Sequence, residues 1–308
     1  MIRCYRYRLY PNKEQRIYFA KTFGCVRFIY NKILEDKIAH YKETKEMLNI
    51  YPAAYKEAYP WLADVDAKAL SYAERHLNTA FQNFFKRPET GFPKYKSKKN
   101  HRKSYTTSGA IRIENGHLRL PKIGFVKINL HRECKGTIKN ATIVQEPSGK
   151  YYVSLTTESD EPRKYCRTSK EVDISLDTQN FKILVDGNPL DNPMFLQESE
   201  RKLKTLQKKL SRCEEGSKNW EKRRRRLARK HEQIANRRAH YINTQTKRLV
   251  QKNQTITVED MGVKQMMQGN SDNAKLLAEL SWFEFTRQLE YKTEWYGREY
   301  VKNQELIL

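Results

Sequence analysis

The chain has 308 residues, with 60 Lys+Arg against 36 Asp+Glu, a formal charge of +24 and a pI near 9.7. That length bounds the answer to two or three domains with real cores. The charge points to a polyanionic partner, because each phosphate met by a lysine or arginine releases condensed counterions. Aromatics make up 11% of the residues, which argues against disorder. The five cysteines at 4, 25, 134, 166 and 213 form no CxxC pair, so no zinc ribbon or finger is expected. Their odd number and the lack of a leader segment favour a reducing, cytoplasmic setting. No apolar run approaches the roughly 20 residues that span a bilayer.

In chain order, MIRCYRYRLYP reads as a short basic strand that stops at Pro11. Residues 12–90 turn to helical spacing, through Phe19, Phe23, Val26, Ile29 and Ile33, then Leu70, Ala73, Leu77 and Phe81. Asn12 with Gln15 predicts a capping box, and Asp64 or Asp66 the start of the later helix. GFPKYKSKKNHRKSYTT follows as a basic, aromatic-laced loop. Short strands come next, punctuated by Asn115-Gly116 and Ser148-Gly149. Together with the first strand they predict a small β-barrel over 1–11 and 91–165, with the helical block inserted. PRKYCRTSK is a linker. A hairpin at 171–187, helices near 195–213 and 217–252, the strand TITVED and a final amphipathic helix predict an α/β unit over 166–308. On that last helix Trp282, Phe285, Leu289 and Tyr296 share one stripe.

Residues 201–250 hold 18 Lys/Arg against four acids. Most charge runs are solvated faces, but those mix signs, whereas Arg223, Arg224, Arg225 and Arg226 form a block of one sign, with Arg229 close behind. Phosphate contact, insensitive to sequence, is the expectation. The loop GFPKYKSKKNHRK pairs cations with Phe92, Tyr95 and His101, giving charges for phosphates and rings for unstacked bases.

Several segments in order carry a resemblance: CVRFIYN, NFFK, GFPKYKSKK, LRLPKIG, LSRCEEGSKN with KRRRRLARKHEQIANRR, VEDMGVKQM and LEYKTEWYGR. From Met1 to about Arg298 the chain resembles the TnpB (OrfB) proteins of insertion sequences, RNA-guided DNA nucleases related to type V CRISPR effectors. The resemblance implies an α/β multidomain fold. It comprises a wedge β-barrel, an inserted helical recognition domain, and a truncated RuvC-like (RNase H fold) domain without its zinc ribbon. The family's nuclease holds two divalent metals on three carboxylates. Aligned on the family hairpin, VDISLDTQNFKILVDG places Asp173 and Asp177 on glycines and Ser175 on the first catalytic aspartate. Glu259 in TVEDM matches the second acid, unless it only balances local charge. The third lies beyond the sequence's last residues, VKNQELIL. Asp173 and Asp177 share a strand face with Ser175, but a two-residue step is roughly 6.7 Å, too long for metals about 4 Å apart.

The implied protein is nuclease-dead, similar to the TnpB-like repressors known as TldR. It would need no metal or other cofactor, only a guide RNA, one per monomer, and a double-stranded target with a short flanking motif. It would lie in the cytoplasm, on the nucleoid, and off the membrane. By the same resemblance Ala67, Lys68, Ser71, Thr107 and Ser108 fall where the flanking motif is read. Lys94, Lys96, Lys98, Lys99 and Arg102 would hold the guide, and Arg223–Arg226 with Arg229 the heteroduplex backbone. A residual RNA-guided endonuclease and a guide-independent DNA-binding transposition accessory remain open.

Overall fold

The computed structural model describes residues 1–159, 164–177, 182–191, 193–259 and 280–303. Phe181 of the hairpin and residues 260–266 of the VEDMGVKQM segment lie outside them. The chain divides into two compact units, Met1–Asp160 and Glu161–Leu308.

In the first unit the strands are β1 (Ile2–Tyr10), β2 (Lys103–Thr107), β3 (Arg112–Glu114), β4 (His117–Leu120), β5 (Gly124–Asn129), β6 (Thr137–Gln145) and β7 (Tyr151–Glu158). They pair antiparallel in the order β2-β6-β7-β1-β5-β4-β3. The strand β1 is central, running against β7 from Ile2↔Glu158 to Leu9↔Tyr151. Alternation along it buries Tyr5, Tyr7 and Leu9, while Ile2 is 68% exposed, so the tyrosine side is the core side. The expected barrel is not closed by hydrogen bonds among the described residues: β2 and β3 are its two edges. Two helices, α1 (Lys13–Thr44) and α2 (Ala67–Lys86), lie against β2 and cover that edge.

The start of α1 is fixed reciprocally: Gln15 N donates to Asn12 Oδ1 at 2.8 Å, and Asn12 N to Gln15 Oε1 at 3.1 Å. Asp66, not Asp64, caps α2 by accepting from Lys68 N at 3.2 Å. Phe19, Ile29 and Ile33 of α1, Leu70 and Leu77 of α2, and Tyr7, Leu118 and Val153 of the sheet share one apolar cluster. The helical segment 12–90 therefore shares a core with the strands.

The second unit contains β8 (Glu171–Asp177), β9 (Lys182–Val185), β10 (Asn188–Pro189), β11 (Thr255–Glu259) and β12 (Glu299–Asn303), in the order β10-β9-β8-β11-β12. The β8–β11 and β11–β12 pairs are parallel and the rest antiparallel. Its helices are α3 (Phe195–Ser211), α4 (Lys218–Lys252) and α5 (Trp282–Tyr296). One sheet face, through Val172, Ile174, Leu176, Ile256 and Val258, packs on Ile242 and Val250 of α4 and on Trp282, Phe285 and Leu289 of α5. Tyr296 completes the expected stripe half-buried, stacked on Tyr165 with ring centroids 4.4 Å apart. No described helix is long and apolar enough to cross a membrane.

A buried lysine joins α4 to α5. Lys292, 4% exposed, donates to Asn243 O, Asn243 Oδ1, Thr246 Oγ1 and Gln288 Oε1 at 2.6–3.0 Å. Burial, then the nearby Lys247 charge, lowers its pKa to about 8 from 10.5. Between those two values the unfolded chain holds the proton that the folded chain has released, so stability rises with pH through that window and is flat below it. We expect the wild type to gain at least about 1 kcal/mol over Lys292→Met between pH 7.5 and 10.5. Parallel denaturant titrations check this. Equal pH dependence in both proteins would refute it.

Candidate nucleic-acid interface

The hairpin β8–β9 carries Ser175, the position where the resemblance implies that a family aspartate is replaced. Val172, Ile174 and Leu176 alternate inward, which leaves Asp173, Ser175 and Asp177 on the opposite face. The parallel register pairs Val258 with Ile174, so Glu259 is next in line beside Ser175. Ser175 also sits across from Leu184 of β9. Asp173 N donates to Asp186 Oδ1 at 2.9 Å, and Asp186 N to Asp173 O at 2.9 Å. Asp186 and Gly187 both have positive φ, 49° and 74°, the two-residue turn that joins β9 to β10. Among the described residues no three His, Cys, Asp or Glu side chains come together as a metal site. The acids along β8 stand a full two-residue step from the serine.

The residues expected at the flanking motif converge in part. Lys68, Ser71 and Ser108 line one groove of about 370 Å³ together with Glu74, joined there by Tyr51, Tyr72 and Arg75. Those last three were not anticipated from the sequence. Arg75 lies over the Tyr72 ring, 5.4 Å from its centroid, and Ser71 Oγ donates to Ala67 O at 3.2 Å. Thr107 does not reach the groove: it is 1% exposed and its hydroxyl donates to Asp66. Asp66 thus caps α2 with one oxygen and holds β2 with the other, fixing the groove's two walls. Thr107 is part of that support and is not a contact residue.

The basic loop is docked against α1. Asn31 Nδ2 donates to Lys96 O at 3.0 Å and Lys96 N donates to Asn31 Oδ1 at 2.8 Å, a two-point clamp on one peptide segment. The Lys96 ammonium sits 3.8 Å from the Tyr30 ring centroid. The residue stays exposed, yet its head group is desolvated there and its pKa is lowered. Burial, followed by the Lys96 charge, also holds His76 below its ordinary value. Lys99 N donates to Ser97 Oγ and Arg102 N to Asn100 Oδ1, at 3.1 and 3.0 Å, so local side-chain turns shape the loop. Lys94, Lys98, Lys99 and Arg102 are exposed. Arg102 shares Glu146 with Arg6, at 3.4 and 2.7 Å. Phe92, expected as a ring for bases, packs edge-on against Phe81 and Phe84, each at 5.5 Å, and anchors the loop to α2 while remaining 45% exposed.

On the helical hairpin Ser217 caps α4 by accepting from Trp220 N at 3.1 Å. Lys218, Lys222, Arg225 and Arg229 fall on one stripe of α4 and line a hollow of about 400 Å³, together with Glu221, which also reaches Arg225 at 3.6 Å. Arg225, Arg226 and Arg229 are exposed. The other two members of the expected cluster have local roles. Arg223 Nη1 donates to Lys209 O at 2.9 Å, tying α4 to the end of α3. Arg224, with its side chain 14% exposed, pairs with Glu221 at 3.0 Å and lies over Trp220. Its position was legible: 220, 224, 227 and 234 continue the stripe that carries Leu227 and Ile234 onto α3.

Comparison with known proteins adds the following. Residues 154–270 match a family model described as "Probable transposase", and residues 1–46 match one described as "Helix-turn-helix domain". In this structure residues 1–46 are a strand followed by one unbroken 32-residue helix. A Streptomyces pristinaespiralis protein named "Putative RNA-guided DNA endonuclease" is 34% identical over 311 residues, covering 97% of this chain and 76% of the relative. The Escherichia coli K12 protein InsQ, with the same description, is 28% identical over 322 residues, covering 96% and 79%. Among solved structures, the cryo-EM structure of the Cas12f1–sgRNA–target DNA complex superimposes with a TM-score of 0.56. The identity is 13%, covering 95% of this chain and 74% of that one.

Proposed function

Because the chain belongs to the TnpB (OrfB) family of IS605-type elements, we propose that it is an RNA-guided DNA-binding protein that holds its target uncut and represses transcription there. The 34% identical relative named for RNA-guided DNA cleavage supports the guide. The +24 charge supports the grip. One observation carries the loss of cleavage: Ser175, a neutral side chain and poor metal ligand, stands beside Glu259 where the family's hairpin has an aspartate.

Holding without cutting divides the work among residues described above. Base pairing between guide and target reads the sequence, and the protein reads only a short flanking duplex and the heteroduplex backbone. Lys68, Ser71 and Ser108 face the flanking duplex from their groove. Lys94, Lys98, Lys99 and Arg102 neutralise guide phosphates. Arg225, Arg226 and Arg229 meet the heteroduplex. None of these contacts needs a metal, and a stable R-loop at a promoter obstructs polymerase sterically.

The test is to purify the protein with its co-purifying RNA, sequence that RNA, and add a matching duplex with magnesium. The expected result is an RNA-dependent complex with unpaired, intact DNA, and silencing of a reporter that carries the target in its promoter. Cut strands that vanish in Glu259→Gln would establish the endonuclease reading instead. Tight binding to one site by RNA-free protein would establish the guide-independent accessory.

A further inference from the structure

A cleft of about 450 Å³ lies between α1 and the clamped loop, ending at the start of β2. That volume is in the range of roughly 300–1,000 Å³ typical of small-molecule sites. Its parts differ in chemistry. Phe23 and Val26, 4% and 5% exposed, give an apolar floor one turn apart on α1. Arg27, Lys96, Arg102 and Lys103 supply four cations to the lining, which contains no acid. Ser97, Asn100 and Ser104 add hydroxyls and an amide, and Tyr95, 56% exposed, adds a ring.

We propose that this cleft receives one unpaired nucleotide of the guide RNA, its base against Tyr95 and the Phe23–Val26 floor, its phosphate among Arg27, Arg102 and Lys103. The proposal rests on the RNA-guided reading and deepens it. A lining with four cations and no acid, of which Arg102 also reaches Glu146 outside the cleft at 3.4 Å, suits an anion that carries a flat apolar face, which describes a nucleotide better than a bare phosphate or a lipid. The serine hydroxyls and the asparagine amide suit a ribose 2′-OH, so RNA is favoured over DNA. Asn31 holds the loop wall in place, so the cleft exists before its occupant arrives. Lys96 is committed to Tyr30 and serves as wall, leaving the phosphate to the other three.

The probe is a fluorescein-labelled single-stranded 15-mer RNA of mixed sequence, with the DNA of the same sequence as control, titrated by anisotropy against the full chain freed of nucleic acid. Tyr95→Ala should weaken RNA binding about tenfold, Tyr95→Phe should retain it, and Arg27→Gln should weaken it severalfold. Both losses should be smaller for DNA. Tyr95 is exposed, so unchanged circular dichroism and melting are expected of its variants. Wild-type affinity in both Tyr95→Ala and Arg27→Gln would overturn the cleft while leaving the guide reading intact. Equal losses on DNA and RNA would overturn its assignment to RNA. A wild-type protein that binds no RNA would remove both proposals together.

Discussion

Replacing Arg225, Arg226 and Arg229 together by glutamine is expected to weaken binding to a guide–target heteroduplex roughly a hundredfold near physiological salt. It should also flatten the dependence of log K on log salt by about 3. These three guanidinium groups are exposed on one side of α4, and two of them share a hollow with Lys218 and Lys222. Phosphate contacts read no sequence, so target sequences should suffer alike. Arg224→Gln is the control, because Arg224 is turned in against Glu221 and Trp220. That variant should leave the salt slope unchanged and lower thermal stability slightly. If the triple variant kept the wild-type slope, α4 would not be the duplex-binding surface.

Phe285→Ala should destabilise the second unit by about 3–5 kcal/mol. Phe285 is fully buried between α5, α4 and the sheet, stacked on Trp282 at 6.4 Å. A loss of that size is a large part of the roughly 5–15 kcal/mol that holds a domain folded. Hydrogen exchange should report it as faster amides in β8 and β11, the strands that carry Ser175 and Glu259. Protection unchanged there would mean that α5 does not hold the sheet.

Much of this was legible in the sequence wherever a local signal decides the outcome. Asn12 with Gln15 announced α1, Ser217 announced α4, and the period-two run from Val172 announced β8, because caps and alternation depend on near neighbours alone. The stripe of Trp282, Phe285 and Leu289 found the sheet for the same reason. What escaped depends on residues distant in sequence. Thr107 looked like a surface threonine until Asp66, 41 residues earlier, took its hydroxyl. The packing of Phe92 on Phe81 and Phe84 likewise joins residues several positions apart. The groove of Tyr51, Tyr72 and Arg75, and Arg27 and Lys103 beside the loop, required two or more elements to meet before any of them became a site. Whether the first unit's sheet closes escaped the sequence on the same ground, since closure depends on edge strands that no local pattern encodes.

The Asn31 clamp on Lys96 also bears on what the protein refuses. A supple basic segment would wrap almost any passing strand, at an entropic cost repeated with every partner. A loop whose main chain is held on both sides of Lys96 by Asn31 reshapes less readily around a misfit, so a strand with the wrong contour would meet its charges less well. On the reading proposed above, that stiffness would act as a filter, favouring a guide whose contour fits over the cell's excess of other RNA.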